Sequence, residues 1–362
     1  MPSTPPFSLT EALHRLPLLE PRQQRDLARL QDRFPNPRAL AGELIRLDWL
    51  TPYQANQIFR GRAHELMLGS YLLLERLGEG GMGRVFKARH VKMGRIAAVK
   101  VIRKERLQKA NAVRRFHREV RAAAQLDHPN VVHAYDAGQA GDVHYFVMEY
   151  VEGTDLNRLV HQNGPLPVAE ACDCIRQAAL GLQQAHEKGL VHRDVKPHNL
   201  IRTPRGQVKL LDVGLVRVLE SFDTEATMTR EGAVLGTVDF LAPEQAANPH
   251  AVDFRADLYS LGCTFYFLLA GQIPFPAHSG VEKLMKHQRE EPTPLEQVRP
   301  GIPPGVVAVV RRLMAKRPEN RYPSAAEAAA ALQSLPETET HWGRESPRPV
   351  SDAEHETVAE GD

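Results

Sequence analysis

The chain has 362 residues, 42% hydrophobic and 25% charged, enough to bury a substantial core in two or three compact units. A formal net charge of only +2 argues against nucleic acid or an anionic membrane as an obligatory partner, so any basic site must be local. Three cysteines are too few for a disulfide framework, and residues 1–10 lack the basic patch and apolar core of a secretory signal, which together predict a reducing, cytoplasmic location.

Ser8 to Glu11 has the capping-box form S-x-x-E, Thr51 to Gln54 has T-x-x-Q with Pro52 at the first helical position, and Asn36 before Pro37 marks another helix start. With Leu40, Leu44 and Ile45 at helical spacing, residues 1–70 read as a helical N-terminal extension. A packing or docking appendage is the preferred reading and a functionally neutral extension the alternative; the sequence does not say what the appendage does. From Tyr71 the pattern changes to strand-like alternation broken by Gly78, Gly80 and Gly83, which predicts a hairpin, followed by a strand over 96–102. A helix is expected over 110–126, ended by His128-Pro129-Asn130, and strands resume near Val131 and Val143. After Gly164-Pro165 the chain becomes mainly helical, over 168–188, 252–271, 306–315 and 324–335. Cys172 falls on an apolar stripe with Val168, Ile175, Ala179 and Leu182, so it reads as a core thiol, and no second cysteine pair completes a zinc site. The most apolar stretch, 261–270, is far short of the roughly 18 to 20 residues of a spanning helix. Residues 336–362 are rich in Glu, Pro, Ser and Thr with almost no bulky apolar residues, and are expected to be disordered.

A lone G-x-G-x-x-G such as Gly78, Gly80 and Gly83 is ambiguous, because dinucleotide-binding turns and ordinary hairpins both cluster glycines. A dinucleotide fold needs a helix directly after the third glycine, whereas Val85 and Lys87 continue a sheet, so a glycine-rich hairpin over phosphates fits better, with Val85 as an apolar lid on adenine. Lys100 lies in the next strand, placed to neutralise phosphate oxygens; flanked by Val99, Val101 and Ile102 it needs an anionic partner, and the candidate is Glu119, which would pair with it when the following helix swings inward, Glu105 being less well placed. The run VHRDVKPHN over 191–199 sets a carboxylate, an ammonium and an amide in one loop. Asp194 can orient a hydroxyl and take its proton, Lys196 can stabilise charge on a transferring phosphoryl group, and Asn199 can hold a magnesium ion. Asp212, in LDVG over 211–214, supplies a second oxygen ligand to such a hard cation.

In this order of motifs, residues 71–335 resemble the eukaryotic-like (Hanks-type) serine/threonine protein kinases, bacterial members especially. Ala242-Pro243-Glu244 is similar to the family's A-P-E element, Asp257 sits in the matching helix, and Arg321 is placed to pair with Glu244. The resemblance implies an α+β, two-lobed fold with a small β-rich N-lobe over 71–151 and a larger helical C-lobe over 152–335. It implies ATP as substrate, Mg2+ or Mn2+ as metal, and protein substrates. It makes Met148 the gatekeeper, assigns adenine contacts to the backbone of Glu149 and Val151, adds Leu77 and Ala98 to the ATP-binding set, and points Asp155 at the ribose. Lys196 and Thr237 resemble serine/threonine rather than tyrosine kinases. His198 replaces the catalytic-loop Glu of kinases directed to basic motifs, and Val213 replaces the usual Phe of D-F-G; the target sequence and the effect of Val213 are left open. Thr224, Thr227 and Thr229 lie between Asp212 and Glu244, and phosphate on Thr227 or Thr229 could order that segment against Arg193, with Arg217 assisting. Autophosphorylation of this kind would be served by a homodimer. Many bacterial relatives continue into a membrane span and an external sensor; no such stretch follows Leu335. A kinase-shaped pseudoenzyme predicts losses at the catalytic centre, which are not seen, and a Walker-loop hydrolase needs a G-x-x-x-x-G-K-[ST] string that the chain lacks.

Overall fold

Alternating apolar residues from Met67 onward build a sheet of six antiparallel strands: β1 (Met67–Leu68), β2 (Tyr71–Gly80), β3 (Gly83–His90), β4 (Ile96–Ile102), β5 (Ala134–Ala140) and β6 (Val143–Glu149), in spatial order β1-β2-β3-β4-β6-β5. The computed structural model describes residues 8–81, 83–107, 112–213, 238–247 and 252–336. Thr224, Thr227, Thr229, Arg217, Thr237, Gly214 and the tail 337–362 lie outside the described residues. The period of two sorts β4 cleanly: Ala98 and Ile102 join Phe116 and Val120 of helix α5 (Ala112–Ala123) in one core, while Ala97 and Val99 join Tyr71, Phe86, Tyr145 and Val147 in another on the opposite face. Lys100 therefore shares the α5 side with Ala98. The segment near Val131 is not a ladder strand: Val131 forms only an isolated bridge to Leu210, and β5 begins at Ala134.

Four helices precede the sheet: α1 (Leu9–Arg15), α2 (Pro21–Arg33), α3 (Pro37–Arg46) and α4 (Pro52–Phe59). Ser8, Asn36 and Thr51 cap α1, α3 and α4 with their side chains, as the sequence predicts. The start of α2 was not legible, because Glu20 is an unusual cap; here it forms a capping box with Gln23. The core of these helices, including Leu13, Leu27, Leu44 and Ile58, continues into Leu72 of β2.

The C-terminal half is built on α7 (Val168–Glu187) and α9 (Arg255–Ala270), with α6 (Leu156–Asn163), α8 (Pro243–Ala247), α10 (Gly280–Arg289), α11 (Leu295–Val298), α12 (Pro304–Leu313) and α13 (Ala325–Gln333) around them. A small antiparallel sheet is formed by β7 (Thr154–Asp155), β8 (Leu200–Arg202) and β9 (Val208–Leu210). Every residue of α9 from Ala256 to Leu269 is buried, including Asp257, Ser260 and Thr264, so this helix is enclosed on all sides and forms the centre of the lobe. Gly262 permits a close approach to α12: a Cβ there would lie 2.7 Å from the Leu313 side chain. Cys172, Cys174 and Cys263 are free and buried, and burial pushes each thiol up to about 12. Among the described residues no helix is long and apolar enough to cross a membrane.

Arg321 ties this lobe together. Its side chain is fully buried and all of its N–H groups are used: Nη1 and Nη2 grip Glu244 at 2.5 and 2.8 Å, and the rest donate to the carbonyls of Ala315, Arg255 and Lys316 at 2.8, 2.8 and 3.0 Å. Nearby, His287 is buried against Phe275 and Tyr259, with Nδ1 3.0 Å from the Tyr259 hydroxyl. Burial, reinforced by the positive charge of Lys316, lowers His287 to about 3. The folded protein thus refuses a proton that the unfolded chain binds below about pH 6.5. Stability is fully present above that pH and is lost as pH falls toward 3, by about 2 kcal/mol at pH 5. Urea unfolding at pH 7 and pH 5 should show this loss in the native protein and not in His287→Gln; equal losses in both would remove His287 as the cause.

Candidate active site

The run 191–199 lies in the loop between α7 and β8, and its shape is imposed from outside. Arg193 and Asp212 both have left-handed backbone, with φ of 66° and 58°, a strained state for residues with a Cβ. The fully buried Asp257 of α9 holds the first: its carboxylate accepts from His192 N at 2.8 Å, Arg193 N at 2.7 Å and His186 Nε2 at 2.8 Å. Gln245 of α8 donates to the Arg193 carbonyl at 2.9 Å while accepting from Ala242 N at 3.1 Å, so the A-P-E element is hydrogen-bonded to the loop. His192 bridges the loop to the Asp212 segment. Its Nε2 lies 2.7 Å from the Leu211 carbonyl, which can only accept, so Nε2 carries the proton and Nδ1 accepts from Asp194 N at 3.3 Å.

Within this frame Asn199 donates from Nδ2 to the Asp194 carbonyl at 2.8 Å and to its carboxylate at 3.1 Å, and Lys196 Nζ lies 2.8 Å from the same carboxylate. Leu211 N donates to the Asn199 carbonyl at 2.9 Å and so brings Asp212 alongside. Lys100 reaches across from β4 and meets Asp212 Oδ2 at 2.5 Å. Lys100, Asp194, Lys196, Asn199 and Asp212 therefore form one chain of contacts. Asp212 Oδ1 is buried with no hydrogen-bond partner, a costly state for a carboxylate oxygen unless a cation completes it. Among the described residues no three His, Cys, Asp or Glu side chains form a metal cage by themselves.

The Lys100–Glu119 pair, expected when α5 swings inward, is not made in this arrangement: Lys100, 5% exposed, takes Asp212, and Glu119, 4% exposed, takes Arg118 Nη2 at 3.1 Å. A buried ammonium needs one good anion, and Asp212 meets that need as well as Glu119 would. The apolar residues do converge: Ala98 and Met148, directly opposed across β4 and β6, share a cluster with Val85, Val151 and Leu211. Glu149 N donates to the His133 carbonyl at 2.9 Å, and the Glu149 carboxylate is held by Lys209 at 2.8 Å. Asp155 caps α6 through Arg158 N at 2.9 Å. A Cβ on Gly83 would collide with the Val101 carbonyl at 1.9 Å, whereas Gly78 and Gly80 face open space and Leu77 is exposed. Burial lowers His198, which leaves it neutral at pH 7 beside Lys196 and Asp194. Val213 packs into the C-lobe core and Leu211 against the N-lobe core. Leu211, Lys209 and Gln245 were missed by sequence reasoning, since their partners are distant in the chain and nothing in their spacing marks them.

Comparison with known proteins agrees with this arrangement. The protein kinase domain matches residues 71–333. The serine/threonine-protein kinase PknB of Mycobacterium leprae is 40% identical over 290 residues, covering 78% of this chain and 45% of that protein. PrkC of Bacillus subtilis is 37% identical over 266 residues, covering 74% and 40%. The crystal structure of the Mycobacterium tuberculosis PknI kinase domain superposes with a TM-score of 0.59 at 28% identity, covering 74% of this chain and 96% of that one. The chain belongs to the protein kinase family, among relatives of the bacterial Hanks type. It spans less than half the length of these curated relatives.

Proposed function

We propose that this chain is a serine/threonine protein kinase, transferring the γ-phosphoryl group of ATP to serine and threonine hydroxyls of proteins. The observation that carries the reading is the single chain of contacts joining Lys100, Asp212, Asn199, Asp194 and Lys196 across the two lobes. Asp194 accepts the hydroxyl proton as the oxygen attacks, and Lys196 offsets charge on the transferring group. Lys100 moves from Asp212 to the α- and β-phosphates, with Glu119 then its partner. Val85, Ala98, Met148, Val151 and Leu211 form the apolar slot for adenine, with backbone groups of Glu149 and Val151 at its edge. Leu77, Gly78, Gly80 and Gly83 cover the nucleotide, and the open space at Gly78 and Gly80 supports that role. Asp155, the N-cap of α6, is assigned to the ribose. Asp212 and Asn199 would hold Mg2+ or Mn2+, a fit supported by the buried, unpartnered Asp212 Oδ1. A metal bound there supplies positive charge to the β- and γ-phosphate oxygens.

Autophosphorylation at Thr227 and Thr229 between two copies of the chain, and a cytoplasmic location supported by the free buried thiols, complete the reading. The test is transfer of label from γ-labelled ATP to a generic protein substrate, followed by phosphoamino-acid analysis. Phosphoserine and phosphothreonine are expected without phosphotyrosine, and label on tyrosine would sink the substrate assignment.

A further inference from the structure

The family match begins at Tyr71, yet the helices before it make specific polar contacts with β2. The β2–β3 register slips between Leu73 and Glu75 and again between Arg76 and Gly78. The first slip takes Leu74 out of the ladder, and both Leu73 and Leu74 turn their carbonyls to α4. Gln54 Nε2 donates to the Leu73 carbonyl at 2.9 Å, and the Thr51 hydroxyl donates to the Leu74 carbonyl. These are the residues of the T-x-x-Q capping box, whose reciprocal bonds, Thr51 N to Gln54 Oε1 at 3.0 Å and Gln54 N to Thr51 Oγ1 at 3.2 Å, lock each side chain to the other residue's backbone N–H. Gln54 is only 2% exposed. A cap on a surface helix has no need of such burial. The neighbouring Tyr53 ring packs on Phe86 of β3 at 5.8 Å, and Arg89 of β3 donates to the Pro17 carbonyl at 3.3 Å. Both strands are thus gripped at the base of the hairpin, while β2 becomes exposed from Glu75 onward.

We infer that the Thr51–Gln54 pair is a positioning clamp for the glycine-rich hairpin: by fixing the bulge at Leu73–Leu74 it sets the angle at which Gly78 and Gly80 lie over the nucleotide, so the N-terminal helices tune ATP affinity. The inference rests on the kinase reading above. Hydrogen bonds from side chains to a bulge act on the hairpin as a lever, since the bulge is where the strand changes direction, and their loss frees the flap without touching adenine or the catalytic loop.

The experiment uses the full chain and reads the Kd of a non-hydrolysable ATP analogue with Mg2+, together with KM for ATP and kcat. Thr51→Val keeps the shape and removes the hydroxyl; Kd and KM should rise roughly 3- to 10-fold, as expected for one lost hydrogen bond, with kcat changed less than about twofold. Thr51→Ser restores the hydroxyl and should bind as the native chain does. Gln54→Met, which removes the donor to Leu73, should repeat the affinity loss and stands in if Thr51→Val does not fold. Variants that melt earlier but keep native nucleotide affinity would overturn the clamp, as would Thr51→Ser weakening binding as much as Thr51→Val. A native chain that binds no nucleotide at all would instead defeat the kinase reading.

Discussion

Asp194→Asn is expected to reduce kcat for phosphoryl transfer about a thousandfold, the middle of the range for a lost general base. The amide preserves size and can still meet Lys196 and Asn199, which hold Asp194 at 2.8 and 3.1 Å, so the loop should keep its shape. What it cannot do is take a proton from the attacking hydroxyl. Nucleotide binding draws on other residues, and the Kd for ATP should therefore stay within about threefold of native. Steady-state transfer and nucleotide titration on the same preparation separate the two effects. A loss of less than tenfold would remove Asp194 from the chemistry, and a parallel collapse of nucleotide affinity would recast it as a structural residue.

Arg321→Ala carries the largest expected cost to stability, about 3 to 5 kcal/mol. The substitution leaves the half-buried Glu244 carboxylate and the carbonyls of Ala315, Arg255 and Lys316 without their donor. For a chain of this size the melting temperature should fall by roughly 10 °C. The pair Arg321→Met with Glu244→Leu should be less damaging than Arg321→Met alone, because the penalty comes chiefly from a stranded charge. Thermal and urea unfolding of the three variants measure this directly, and a single-variant cost under about 1 kcal/mol would show the pair to be solvated.

The grouping of Asp194, Lys196 and Asn199 was legible because it is local: all three sit in one short loop, and the structure brings them into contact. Helix starts at Ser8, Asn36 and Thr51 were legible for the same reason, since a cap is decided within a few residues. Partners far apart in sequence were not. Lys100 and Asp212 are separated by 112 residues, and sequence reasoning paired Lys100 with the nearer Glu119, which is buried yet held by Arg118. The choice between two anions depends on where α5 sits, a matter of packing between elements. The left-handed backbone of Asp212 leaves no trace in composition, and the second task of Thr51 and Gln54 appears only when β2 is laid against α4.

Asp257 carries an implication for synthesis. By residue 213 a chain leaving the ribosome already holds Lys100, Asp194, Lys196, Asn199 and Asp212, yet the carboxylate that fixes His192 and Arg193 belongs to a helix still unmade. Domains acquire their structure as units while translation proceeds, so the nascent protein carries its reactive groups in an unset loop. The loop can take its final shape only once α9 docks, so on the proposed function phosphoryl transfer would have to wait for that step.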